Sequence, residues 1–236
     1  MNNFRQKFWH WPGWRQFGYA QALGLAVTLW FILAYGGADW FAEQHCFRVR
    51  LHFGIDLAIP FVPGMTIFYL SLNALLACAP FILRRRRELE AFAISLAAAT
   101  LVAAICFVAL PGRAAFPVPS DAKLGAWAGI DHFARWLART HNFLPSLHVA
   151  FTTIAVIVYR GHAMRLGRAL LSGWGLAIVA STLFTHQHYL ADVATGIFLG
   201  WLTVKWIYWP MSAAARRFPA GQTPAANRPT HQEQPA

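Results

Sequence analysis

Charge is what this sequence of 236 residues has least of. Charged side chains make up 12% of the chain, where an ordinary soluble domain carries roughly a quarter. Acidic residues are scarcest, nine Asp and Glu against twenty Lys and Arg. Cysteine is scarce as well: Cys46, Cys78 and Cys106 show no paired spacing, so neither a disulfide framework nor a thiolate metal site can be read from them. Cys78 and Cys106 fall inside apolar runs, where a thiol serves as small apolar filler. No internal repeat is visible.

Apolar sequence is what the chain has instead. Hydrophobic residues make up 57%, gathered in long runs that recur along the chain. Each run is long enough to cross a bilayer, which defines a polytopic membrane protein. The expected fold is all-α, a bundle of six transmembrane helices over approximately 19–36, 61–83, 90–110, 144–160, 167–185 and 189–209, within one membrane domain of residues 1–212. The aromatic cluster Phe8-Trp9-His10-Trp11-Pro12-Gly13-Trp14 reads as a headgroup-level anchor in an interfacial segment, 1–18. Residues 213–236, rich in Pro, Ala, Gln and basic groups, read as a disordered cytoplasmic tail. Basic residues followed by an apolar run resemble a signal peptide, but the run from Tyr19 to Gly36 is long for one and is expected to be an uncleaved first span.

The formal charge of +11 raises nucleic acid as a partner, and the position of the charges argues against it. They lie in short clusters between apolar spans, as membrane topology requires; Arg84 to Arg87 is the densest. One side of the membrane receives Arg5, Lys7, Arg15, Arg84 to Arg87, Arg160, Arg165, Arg168, Lys205, Arg216, Arg217 and Arg228, fourteen in all. The other receives six, Arg48, Arg50, Arg113, Lys123, Arg135 and Arg139, offset by Asp39, Glu43, Asp56, Asp121 and Asp131. The positive-inside rule then puts both termini in the cytoplasm, with 37–60, 111–143 and the turn near 186–188 outside. The outer loop 111–143 contains Trp127, Phe133 and Trp136. Such a loop shapes a site or rests on the outer headgroups as an amphipathic helix, and the two roles are compatible.

The histidines concentrate at span ends on that outer side. His141 and His148 open the fourth span and His186 and His188 the sixth, with Asp192 following. The third span also ends there, delivering Pro111-Gly112-Arg113. His188 and Asp192, four apart, share one helix face, so the carboxylate can orient the imidazole and stabilise its cation. An ionisable Asp in a spanning helix is costly and marks function. Pro145-Ser146 suits a helix start, where free N–H groups and the dipole favour an anion.

Together these stretches resemble the type 2 phosphatidic acid phosphatase superfamily. Its Pro-Ser-x-His motif matches Pro145, Ser146 and His148. Its Ser-Arg-x5-His-x3-Asp motif matches Ser181, His188 and Asp192, with Thr182 where the family has Arg. The Lys-x6-Arg-Pro motif is absent, and Arg113 is its nearest substitute. That departure, the stretch His188-Tyr189-x-x-Asp192 and, more weakly, Phe61-Val62-Pro63 through Tyr69-Leu70-Ser71 resemble the inositol phosphorylceramide synthase-like branch. The resemblance covers about 60–205 and implies a lipid phosphate substrate and neither metal nor cofactor. It implies that His188 attacks phosphorus to form a phosphohistidine, Asp192 orients it, and His148 protonates the leaving oxygen. Ser146, Ser181 and Thr182 fall at phosphate-binding positions. Arg113 is the first choice for the missing cation, followed by Arg139 and Lys123; His141 and His186 flank the site.

Three rival readings stay open. The same residues serve transfer of a phospho-headgroup to a lipid acceptor. His148, His186, His188 and Asp192 also suit an intramembrane zinc or iron site by type, although His186 and His188 face apart if helical. A transporter is the third, disfavoured because no span carries a mid-membrane charge. The lipid itself is not legible: phosphatidic acid, phosphatidylglycerol phosphate, a polyprenyl pyrophosphate and a lipid A phosphate all fit.

Overall fold

The computed structural model describes residues 8–44, 46–138 and 142–217. Its helices in chain order are α1 (Trp14–Glu43), α2 (Thr66–Ala77), α3 (Ala79–Ile82), α4 (Arg86–Ala109), α5 (Asp121–Leu124), α6 (Ala128–Ala138), α7 (Leu147–Arg160), α8 (Arg165–Phe184), α9 (Leu190–Thr203) and α10 (Trp209–Arg217). A π-helical stretch, Val204–Tyr208, joins α9 to α10. No strand occurs among the described residues, where extended pairing is confined to a bridge between Val49 and Gly112. α10 runs on to Arg217, into the stretch expected as tail; 218–236 lie outside the described residues.

Among the described residues, four helical stretches are long and apolar enough to cross a membrane: α1, α4, α8 and Leu190–Ala213. The other two expected spans are apolar but shorter, Pro63–Ala77 and α7. The 14 residues of α7 rise roughly 21 Å, less than the ~30 Å of hydrocarbon in a bilayer. Local chemistry shortens both. Pro80 cannot continue the hydrogen-bond ladder of α2, so the 61–83 run breaks at Cys78. α7 begins at the Ser146 cap and stops at the turn of Gly161 and His162.

α4 is the inner span and α1 the outer one: 44% of the apolar window of α4 is buried in the protein, against 6% for α1. α1 is nonetheless tied along α4, by Trp30 Nε1 donating to the Ala97 carbonyl at 3.0 Å and Tyr19 donating to Glu90 at 2.6 Å. The N-terminal aromatic cluster packs on α3, with Trp9 stacked on Phe81 at 4.7 Å. At the opposite end the loops form a layer over the helix ends. Val62 N–H donates to Phe184 O, Asn142 to the Tyr35 carbonyl, and Tyr35 itself to Ala138 O. That layer covers the starts of α7 and α9 and the end of α8.

Candidate active site

Glycine lets α7 sit tightly between α8 and α9. A Cβ on Gly196 would stand 2.6 Å from the Ser146 carbonyl oxygen, and one on Gly200 2.7 Å from that of Ala150. On the other face, a Cβ on Gly175 would meet Val156 at 2.7 Å. Small residues four apart allow this backbone approach. It sets the first turns of α7 and α9 side by side, where Ser146 N–H donates to the Asp192 carbonyl at 3.1 Å. The two motif stretches, forty residues apart in the chain from His148 to His188, thus meet through a backbone hydrogen bond.

His188 is placed by the way α8 ends. Gln187 and His188 both donate their N–H to the Thr182 carbonyl, at 3.0 and 3.1 Å, and His186 N–H donates to Leu183 O. This Schellman-type closure needs a left-handed residue just past the helix, commonly Gly; here it is His186, with φ 56°. The chain then enters α9, and Asp192 falls one turn in. Its Oδ2 lies 3.4 Å from His188 Nδ1 and accepts the Tyr189 N–H at 2.9 Å. His188 is 8% exposed and Asp192 not at all, so the pair is shielded from water. With Nδ1 turned to the carboxylate, Nε2 is the ring nitrogen left for chemistry. Ser181 and Thr182 are fully buried, and their hydroxyls donate back to Ile178 O and Val179 O within α8.

His148 comes from the first turn of α7. Its Nε2 bonds the Tyr69 carbonyl at 2.8 Å, and its ring stacks on that of Tyr69 at 3.9 Å. A carbonyl oxygen only accepts, so this bond puts a hydrogen on Nε2 and leaves Nδ1 to gain or lose a proton. Ser146, buried at the N-cap, accepts the Val149 N–H at 3.3 Å. The N–H groups of Leu147 and His148 come too early for an intrahelical acceptor.

In the sequence Asp56 stands out only as a loop charge. In the structure its buried carboxylate accepts Phe53 N–H at 2.7 Å and Leu190 N–H at 2.8 Å, capping α9 from another segment. Arg135 likewise stands out there only as a topology charge. It pairs with the buried Asp131 at 2.6 Å and donates to the Thr185 carbonyl at 3.1 Å, strapping α6 to the end of α8. Its only sequence signal was the four-residue spacing from Asp131.

The remaining candidates spread out. The exposed Arg113 is held by its backbone, its N–H donating to Val49 O at 3.0 Å. Lys123 lies over the Phe61 ring at 5.2 Å. His186 turns to the Ile59 carbonyl at 2.9 Å and stacks on Phe116. Burial lowers its pKa; the bond to Ile59 works against that, and Lys123 and Arg135 add to it. Arg139 and His141 lie outside the described residues. The four-ligand metal set is therefore divided, and no metal-ligand cluster of three His, Cys, Asp or Glu occurs among the described residues.

A sequence model of the PAP2 superfamily matches residues 61–206, more than half of the chain and all of the His148, His188 and Asp192 constellation. The match is to the superfamily and does not single out the inositol phosphorylceramide synthase-like branch. No curated protein matches the chain. With its membrane-length apolar helices and this match over the site, the chain belongs to the PAP2 superfamily and is a phosphatase-type membrane enzyme.

Proposed function

We propose that this protein is a lipid phosphatase that removes phosphate from a phospholipid or lipid pyrophosphate through a phosphohistidine on His188. One observation carries the reading: the buried His188–Asp192 contact at 3.4 Å stands beside His148 through the Ser146–Asp192 backbone bond. A buried carboxylate against an imidazole, with a second imidazole next to it, is the arrangement of a nucleophile, its orienter and a proton donor.

In the first step His188 Nε2 forms a bond to phosphorus while the bond from phosphorus to the lipid oxygen breaks. The electron pair stays on that oxygen, which takes a proton from His148 Nδ1. In the second step His148 Nδ1 removes a proton from water, the water oxygen attacks phosphorus, and the P–N bond breaks to release phosphate. Asp192 stabilises the charge on His188 throughout. The N–H groups of Leu147 and His148, at the positive end of the α7 dipole, and the Ser146 hydroxyl hold phosphoryl oxygens. Ser181 and Thr182 act through the turn that presents His188.

The membrane arrangement belongs to the same proposal. Six spans, with α2 and α7 the short inner pair, put both termini in the cytoplasm and the site at the outer leaflet of the cell membrane. The split of fourteen basic residues to six supports this orientation. α6 separately supports a position of this loop layer at a membrane surface. Its apolar residues Ile130, Phe133, Trp136 and Leu137 are exposed while Asp131 is buried, the reverse of a helix in water. A helix lying in the headgroup interface has that pattern.

The test is to incubate the purified protein with a panel of labelled lipid phosphates, with and without acceptor lipids. Free phosphate is expected, with none from His188→Ala. A new phospholipid without phosphate release would replace hydrolysis by transfer to a lipid acceptor.

A further inference from the structure

Gln187, the residue before the nucleophile, buries an amide donor that has no acceptor. The side chain is 9% exposed, and its Nε2 finds no hydrogen-bond partner among the described residues. Leaving a buried N–H unpaired costs as much as losing a hydrogen bond, and Leu or Met would fill the space without that cost. The setting is not random. Of the unpartnered buried polar atoms in the α8–α9 turn and the first turn of α9, His188 Nδ1 faces Asp192 at 3.4 Å and Asp192 Oδ1 only accepts, which leaves Gln187 Nε2 as the donor without an acceptor. An unpaired buried donor in the turn that presents the nucleophile points to a ligand rather than to a defect. The backbone of Gln187 is firmly held, its N–H bonded to the Thr182 carbonyl at 3.0 Å.

We propose that the Gln187 carboxamide binds a phosphoryl oxygen of the substrate, donating from Nε2, and partly fills the role left open by Thr182 in place of the motif arginine. This inference rests on the lipid-phosphatase reading. The chemistry is one-sided: a phosphoryl oxygen accepts, so only the amide nitrogen can serve it, and the anion selects that orientation of the amide. A neutral donor brings no charge, and the positive potential comes from the α7 dipole. The Gln187 backbone is fixed one residue before the attacking histidine, in the turn that presents it, and the equatorial oxygens gather negative charge there as phosphorus is transferred.

The experiment compares wild type, Gln187→Met and Gln187→Glu as full-length protein in detergent. Turnover of a short-chain lipid phosphate, inhibition by orthovanadate and the thermal midpoint are measured for each. Gln187→Met should lose about 10- to 100-fold in kcat/KM and in vanadate affinity. Its midpoint should stay level or rise, since an unpaired buried donor has been removed. Gln187→Glu should lose more, because a carboxylate then faces the phosphoryl group. Wild-type turnover and vanadate affinity in both variants would overturn the proposal while leaving the phosphatase reading intact. Loss of activity with a lowered midpoint and unchanged vanadate affinity would also overturn it, making Gln187 a structural residue. A wild-type protein that releases no phosphate from any lipid phosphate would overturn the parent reading and this one together.

Discussion

The starts of α7 and α9 lie side by side, each brings a histidine to the site, and they are finished in opposite ways. At α9 two carboxylates take up the first N–H groups: Asp192 accepts from Tyr189 and Asp56 from Leu190. At α7 the cap is the neutral hydroxyl of Ser146, which takes only the Val149 N–H. The start of α9 therefore carries two carboxylates, while the start of α7 carries none and keeps its partial positive charge. On the proposed function, the acidic groups at α9 orient the nucleophile and stabilise the charge it gains on attack, and the start of α7 receives the phosphate. Two similar helix starts would then divide the labour of phosphoryl transfer.

The most damaging way to break this division is to remove the nucleophile. His188→Ala should drop turnover below about one-thousandth of wild type. The protein should still insert and fold, because the ring has no hydrogen bond to lose beyond the Asp192 contact. Asp192→Asn should cost nearly as much, about 10³- to 10⁴-fold in kcat. The amide oxygen can still accept the Tyr189 N–H, so the loss falls on the charge. Normal kcat in Asp192→Asn would mean that His188 needs no carboxylate and would remove the asymmetry between the helix ends.

Asp56→Asn attacks the acidic end from outside the motif. One oxygen remains to accept, so one of two charge-assisted bonds is lost, at a cost of about 1–3 kcal/mol. The start of α9 should loosen and kcat should fall, by up to about 100-fold where geometry sets the rate. Thermal midpoint and kcat should fall together. A lowered midpoint with full kcat would show that α9 keeps its register without Asp56. Ser146→Ala probes the open end more gently. It should destabilise by about 1 kcal/mol through loss of the cap and raise KM for the lipid phosphate.

Much of this site was legible in the sequence because its parts are local. His188 and Asp192 are four apart at one helix start, and the expected alternation of spans puts the starts of the fourth and sixth on one side. Pro145 and Ser146 marked the start of α7 by their chemistry, and the structure places the cap there. What the sequence hid are partnerships across distance. Asp56 and Leu190 are 134 residues apart, and nothing at either position announces a carboxylate serving a backbone N–H. Arg135, four residues from Asp131, looks like a surface pair; only the exposed apolar face of α6 reveals that the pair turns inward. Apolar composition overstates span length where it runs past a break, as at Cys78 before Pro80. His186 gave no sign of standing where glycine usually does, because its role is a backbone angle.

The smallest effect is expected where the sequence placed its first choice of phosphate cation. Arg113 is pinned by its backbone to Val49 at the end of α4, yet its side chain is exposed. Arg135 is the useful contrast, with its guanidinium held by Asp131 and the Thr185 carbonyl. Removing Arg135 leaves the buried Asp131 carboxylate with no cation and only the Thr66 hydroxyl at 3.4 Å, at a cost of about 3 kcal/mol. Arg113→Ala strands nothing and should change stability by less than about 0.5 kcal/mol. Arg113→Lys and Arg113→Ala therefore separate two roles at saturating lipid. A forked clamp on the phosphate tolerates neither, since Lys offers a point charge without the planar fork. An interfacial arginine that lies along the headgroups accepts Lys fully and Ala with a modest rise in KM. The exposed placement favours the second outcome, with kcat unchanged in both variants. A fall in kcat that Lys does not rescue would instead return Arg113 to the phosphate, and the open end of α7 would then be sharing its anion with a cation from the end of α4.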